Sequence, residues 1–365
     1  MKIGILTFHN VPNYGAALQA FALKTYLTKM GNTVSVIDFQ CPGNDSAFLP
    51  ENSKKSFVAS TNPIKRILKE VIYSVNIKKD YAVKWAKFEN FAKKHFNISP
   101  DDINDFGVIF CGSDQIWNPG ITNGFKSKYF CSCDMGNAVS ASYAASCGDI
   151  AEFSDEQFSE FLALIKNMDF VGVREKSLCD TLKENGIDAL CTVDPTFLLS
   201  SNDYIKQLNL TKMQKPKYLL QYALQNTKEL DEAAAEIAKQ KGLEVIKICG
   251  YVPFKSKGKG VFDAGPKEFL QYLYNAEYIV TNSFHGVALS LIFEKDFTSS
   301  LPKSRKGRIT DLLGSLSLEN RILKDRNNIM TDKIDYDIVG NKLSDMISCS
   351  TDYIEKVLRN VNGKI

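Results

Sequence analysis

The feature that most constrains this chain is a recurring order: a short apolar strand, a loop of small and polar residues, then a helix. Residues 2–8 read Lys-Ile-Gly-Ile-Leu-Thr-Phe, an apolar run of the kind that forms a buried strand. A loop rich in Asn, Pro and Gly follows at 9–15. Residues 16–30 then read as a helix with Leu18, Phe21, Ala22 and Leu27 on its apolar face. Gly31-Asn32 stops the helix, and 33–39 is a second strand. Strand–helix–strand is the unit of a parallel sheet with right-handed crossovers.

The pattern continues. Further strands are expected at 105–111, 140–146, 170–173 and 190–193, with a helix at 154–168. Residues 41–62 read as loop. Residues 63–96 read as a Lys-rich helical insertion carrying Ile64, Ile67, Leu68, Val71, Trp85, Phe88 and Phe91. The polar stretch 200–216 contains a proline and reads as a linker. A second alternation then begins, with strands at 217–223, 244–248 and 278–280 and helices at 229–241, 266–275 and on to 293. The tail from 341 reads as helical. The expected architecture is α/β: two Rossmann-like doubly wound domains facing across a cleft. The first covers 1–200 with its insertion at about 63–96, the second covers 201–340, and 341–365 is a C-terminal helix.

Composition excludes several function classes. Lys+Arg number 45 and Asp+Glu 42, so the net charge is 45 − 42 = +3, and hydrophobic residues make up 44%. That is neither a disordered chain nor a strongly basic nucleic-acid binder. There is no run of about 18 apolar residues. The N-terminal apolar stretch meets His9 and Asn10 before a signal-peptide core is complete, so a cytoplasmic protein is expected. Nine cysteines, an odd number, read as free thiols, mostly small core residues. Cys131-Ser132-Cys133 lacks a second pair at zinc-site spacing, and no HExxH or DxD pattern occurs, so no metal is expected.

In parallel sheets, ligands sit outside the carboxyl ends of the strands. The informative loops here follow Phe8, Cys111, Val173, Val193 and Val280. His285, one of three histidines, follows a strand and opens a helix at Gly286. An imidazole there suits acid–base work, and the helix N-terminus suits an anion. A strand-end histidine satisfied by a loop carbonyl fits the same position. Arg174 ends a strand and can grip a carboxylate or phosphate, or pair with Glu175 or another acid. Lys303, Arg305, Lys306 and Arg308 form a basic loop, solvated or completing an anion clamp. Asn13-Tyr14-Gly15 is a small-residue turn before a helix, suited to a close ligand or needed only for its backbone angles. It matches neither GxGxxG nor a Walker A loop. Asp114, Gln115, Trp117 and Asn118 combine polar groups with an aromatic face, as a sugar site does, or cap a helix. Asp194-Pro195-Thr196 reads as a turn.

In this order and placement the motifs resemble the polysaccharide pyruvyl transferase family. They are Gly4-Ile5-Leu6-Thr7 with Asn13 to Gln19, Gly112 to Asn118, Val173 to Ser177, Val193 to Thr196 and Asn282 to Gly286. The resemblance implies a GT-B-like arrangement. It also implies transfer of pyruvate from phosphoenolpyruvate to a sugar of a cell-surface glycan or its lipid-linked precursor, as a cyclic ketal, with phosphate released and no cofactor. It implies a donor held and protonated by His285 and a facing arginine, Arg174; the chemistry of the step itself makes His285 the acid and Asp114 a weaker candidate for the base, with Asn282, Ser283 and Gly286 beside the donor. Asn13, Tyr14, Gly15, Gln115, Trp117 and Asn118 would meet the acceptor. Family members commonly carry Arg-Leu-His where this chain has Ser283-Phe284-His285, so Lys303, Arg305 or Arg308 would supply the missing cation. Alternatives are a GT-B glycosyltransferase using a nucleotide sugar and a weakly catalytic glycan-binding homologue. The Lys-rich 63–96 stretch is a solvated face or a peripheral membrane contact; no nucleic-acid partner is expected.

Overall fold

The computed structural model describes residues 1–39, 63–64, 66–67, 78–100, 106–132, 136–213, 217–224, 227–249, 259–302, 307–324, 329 and 331–361. The expected loop 41–62 and the candidates Lys303 and Arg305 lie outside these residues.

The first lobe is a parallel sheet of β1 (Lys2–Leu6), β2 (Thr33–Ile37), β3 (Ile98–Ser99), β4 (Val108–Cys111) and β5 (Val139–Ser142), in the order β3-β2-β1-β4-β5. β1 is central, so Ile3 opposes Val34 on one side and Val108 on the other, and its residues after Lys2 are buried. β6 (Val171–Val173) and β7 (Ala189–Cys191) pair with each other. Bridges at Ala141–Phe170 and Ala145–Val173 lay β6 beside the β5 end of the sheet. The second lobe repeats the pattern with β8 (Tyr218–Ala223), β9 (Glu244–Cys249), β10 (Lys259–Val261), β11 (Tyr278–Thr281) and β12 (Asp296–Ser299), in the order β10-β9-β8-β11-β12, all parallel. The strand order reverses between β1 and β4 in one sheet and between β8 and β11 in the other. Such switch points open the crevices where α/β sheets take ligands.

The helices are α1 (Tyr14–Lys29), α2 (Lys78–His95), α3 (Asp155–Ile165), α4 (Lys176–Glu184), α5 (Ser201–Leu208), α6 (Lys228–Lys241), α7 (Pro266–Asn275), α8 (Phe284–Ile292), α9 (Gly307–Ser315) and α10 (Tyr336–Val361). Every residue of α1 from Tyr14 to Leu23 is buried, not only one face. A helix apolar on all sides belongs inside a protein, and α1 sits between β2 on its own lobe and the Pro195–Leu198 turn and α7 on its other sides. Tyr14 at its start stacks on Phe269 at 4.5 Å and donates its hydroxyl to Ala264 O at 2.8 Å, so the lobes meet there.

Two readings of the sequence are corrected. The stretch 200–216 is not all linker: α5 occupies 201–208 and opens with a capping box in which Ser200 and Asp203 satisfy each other's amides. The insertion does not present all its lysines to solvent. Lys84 of α2 is buried with Nζ 3.3 Å from Cys249 O, and Lys87 pairs with Asp263 at 3.0 Å, so α2 braces the second lobe. α10 leaves the second lobe and returns to the first, where Tyr353 donates to Ser142 O at 2.8 Å and Val193 N–H donates to Ser350 Oγ at 2.9 Å. Among the described residues, no helix is long and apolar enough to cross a membrane.

Candidate active site

The carboxyl ends of β4, β6, β7 and β11 converge with the start of α1. After β4 the chain turns sharply through Gly112, whose φ is +121°. A Cβ there would overlap the Tyr143 carbonyl, so glycine is required. The Ser113 N–H donates to Gln19 Oε1 of α1 at 3.2 Å, and Gln19 Nε2 donates to Thr7 Oγ1 at 2.8 Å, tying the β1 and β4 loops together. From the end of β6, Arg174 reaches Asp194 through Nη1 at 3.0 Å and Glu175 through Nε at 3.3 Å. Glu175 also accepts the Ser146 hydroxyl at 2.7 Å.

Asp194, just after β7, is the hub. Its Oδ1 accepts Thr196 N–H at 3.0 Å and the Thr196 hydroxyl at 2.7 Å. Its Oδ2 faces Arg174 Nη1, Ser113 Oγ at 3.4 Å and His285 Nε2 at 3.4 Å. The His285 contact is one of charge proximity, since Nε2 has no aligned hydrogen bond. Burial opposes ionisation of Asp194. The His285 imidazole, the Arg174 guanidinium and the Thr196 amide outweigh it and hold the carboxyl well below the usual carboxylate range. For Arg174, burial alone would weaken its hold on the proton, but Glu175, Asp194 and Asp114 more than offset it and the guanidinium is held more firmly charged.

His285 enters from the second lobe in the first turn of α8, and its ring lies against Gly15 of α1. A Cβ on Gly15 would overlap His285 Nδ1. Beside this ring, Phe284 is flanked by two guanidiniums, Arg174 at 5.1 Å and Arg308 at 5.8 Å from its centroid. Phe284, Arg174 and Arg308 line a cavity of about 240 Å³ that also involves Glu175, Lys176, Asp194, Asp311, Phe197, Leu312 and Met346, with the His285 ring on the far side of Asp194 and Phe284 rather than in its lining. Its three cations, Arg174, Lys176 and Arg308, face three carboxylates, Glu175, Asp194 and Asp311. Burial, and then Glu175, push the Asp311 carboxyl up. Arg308 lies in α9 rather than in a free basic loop.

The sequence model of the polysaccharide pyruvyl transferases matches residues 13–299. The chain belongs to the polysaccharide pyruvyl transferase family. No curated protein matches it. Solved structures with a similar chain trace include the UDP-GlcNAc 2-epimerase of Methanocaldococcus jannaschii, at 12% identity over 95% of this chain and 93% of that one, TM-score 0.46. They include the S. aureus MnaA–UDP co-structure, at 11% identity over 96% and 91%, TM-score 0.46. A third is the E. coli heptosyltransferase WaaC with ADP-2-deoxy-2-fluoro heptose, at 9% identity over 84% and 91%, TM-score 0.38.

Within this family member, His285, Arg174, Arg308, Gly15 and Ser113 come together, while several acceptor candidates do not serve as expected. Trp117 is fully buried, stacked on Phe130 at 5.2 Å with its indole N–H donated to Tyr129 O, so it has no face for a sugar. Tyr14 is committed to the lobe contact described above. Asn13 caps α1, accepting Gly15 N–H at 2.9 Å. Asn118 caps the Pro119–Thr122 turn and donates to Gln115 Oε1 at 3.2 Å. Asp114 has φ +42° and turns Oδ1 onto the Gln115 amide at 2.8 Å. Asn282 accepts Leu224 N–H at 2.9 Å, bridging β11 to the end of β8, and the Ser283 amide donates to Thr281 Oγ1 at 3.1 Å. A Cβ on Gly286 would overlap Thr281 Oγ1, so its glycine provides close packing. The residue that the sequence reading left as a turn is Asp194. An aspartate closing the expected 190–193 strand and standing before a proline, among strand ends that carry charge, is the available signal.

Proposed function

We propose that this family member transfers the pyruvyl group of phosphoenolpyruvate to two hydroxyls of a sugar in a cell-surface glycan or its lipid-linked precursor, forming a cyclic ketal and releasing phosphate. The observation that carries the reading is the pair Arg174 and Arg308, one from each lobe, on the Phe284 ring beside His285. Arginine forks suit a small molecule bearing both a carboxylate and a phosphate. Arg174 also has Nη2 without a partner among the described residues. Arg308 stands where it can offset the absence of arginine at Ser283. The cavity of about 240 Å³ has room for a three-carbon phosphate.

The chemistry assigned to these residues balances as follows. A proton from the His285 imidazolium adds to the methylene carbon of phosphoenolpyruvate, and the neighbouring carbon becomes oxocarbenium-like. One sugar hydroxyl bonds to that carbon and loses its proton, with Asp114 the candidate base. The C–O bond to phosphate breaks, phosphate departs with its electron pair, and the second hydroxyl closes the ketal and loses its proton. Asp194 is a poor base for these steps because its carboxyl is held so firmly ionised.

The test is phosphate release from phosphoenolpyruvate with a panel of nitrophenyl and lipid-linked sugars. Native protein is expected to release phosphate only with an acceptor, and His285→Ala to lose about 10²-fold or more in kcat. Full turnover by His285→Ala removes His285 from the mechanism. Release of a nucleoside diphosphate from a nucleotide sugar, or tight glycan binding with no donor turnover, replaces the reading.

A further inference from the structure

We infer that Asp194 is the positioning residue of this site, an internal anion that holds His285 of one lobe and Arg174 of the other in a single frame. Three observations carry this. Asp194 cannot swing, because Oδ1 is held twice by Thr196, Pro195 fixes the following backbone, and Val193 is tied by its amide to Ser350 of α10. Its other oxygen is the only atom within reach of the Arg174 guanidinium, the Ser113 hydroxyl and the His285 imidazole together among the described residues. It is 1% exposed, so its charge acts on these partners with little screening by water. A site whose members come from separate elements needs such a rigid support to keep its geometry.

The arrangement has a distinctive consequence. Asp194 competes with any anionic ligand for Arg174, while its Oδ2 faces His285 Nε2 and fixes where the ring sits. Its two effects on a reaction therefore have opposite signs. Glu175 still holds Arg174 Nε when Asp194 is neutralised, so the guanidinium stays in place.

The kinetic arm of the test rests on the pyruvyl-transfer reading, and the exchange arm does not. In substrate-free protein, Asp194→Asn is expected to speed amide hydrogen exchange at 13–17 and 283–287, the two segments His285 joins, and to leave the outer strands β3 and β10 as in the native chain. In turnover with phosphoenolpyruvate, kcat is expected to fall about 10²-fold or more, with KM for phosphoenolpyruvate unchanged or lower. Asp194→Glu should recover part of kcat. Unchanged exchange at both segments, or a KM that rises in step with the fall in kcat, overturns the inference. If Asp194→Asn does not fold, Thr196→Val decides, because it keeps the charge and loosens its support. The same local exchange pattern at smaller amplitude sustains the inference, and native exchange overturns it. Local exchange changes in a protein that releases no phosphate with any acceptor would leave the frame standing and remove the donor reading alone.

Discussion

Gly15 has a steric duty. It lies in the first turn of α1, where its amide is capped by Asn13 and alanine would suit the helix backbone, yet a side chain there would take the space of the His285 ring. Gly15→Ala is therefore expected to fold with α1 intact and to lose about 10²-fold in turnover, since a displacement of about 1 Å at a reacting group has that cost. Steady-state rates with a melting curve check this, and native turnover would contradict the packing. The sequence made Gly15 conspicuous but pointed to ligand contact or backbone angles, because its partner lies 270 residues further on. The same limit hid the role of Asp194 and the burial of Trp117. Residue type and local spacing identify what a side chain can do, while long-range packing decides whether it is free to do it.

At the level of elements, α2 is a brace. Its Lys84 lies in the lobe contact, 4.7 Å from the Tyr14 ring centroid, and burial pushes its ammonium down to about 8 from an ordinary 10.5. Between those values the unfolded chain binds more protons than the folded one, so stability rises with pH across that window. Below pH 8 the folded protein carries the whole cost of the buried charge, roughly 3 kcal/mol from the size of the shift. Lys84→Met should therefore stabilise the protein at pH 7 by about 1–3 kcal/mol. It should also flatten the rise between pH 8 and 10.5, read as the difference between native and variant denaturation curves. A variant less stable than the native chain at pH 7 would refute this. The strands were legible because buried parallel strands read as apolar runs: β1, β4, β8 and β11 lie within a few residues of their expected places. β3, β10 and β12 were not, since two or three residues at a sheet edge, or the mixed Asp-Phe-Thr-Ser of β12, leave no such run.

For the whole molecule, two parallel sheets with facing switch points follow from the repeated strand–loop–helix order, and that much the sequence carries. The return of α10 to the first lobe it does not carry, because an amphipathic helix does not reveal which surface it covers. Six apolar residues of α10 are buried: Val339, Tyr353, Ile354, Val357, Leu358 and Val361. At roughly 1.5–3 kcal/mol each, their burial contributes on the order of 10 kcal/mol, comparable with the whole net stability of a typical protein at about 5–15 kcal/mol. A chain ending at residue 335 is expected to aggregate or to melt far below the native protein, by calorimetry and gel filtration. A monomer with the native melting temperature would show that α10 is dispensable. The helix also sets an order of events during synthesis. A ribosome releases β5 and Val193 long before the segment that covers them, so the half of the protein made first is the last to be sealed, and its bare flank must stay out of trouble until residues 350–361 have emerged.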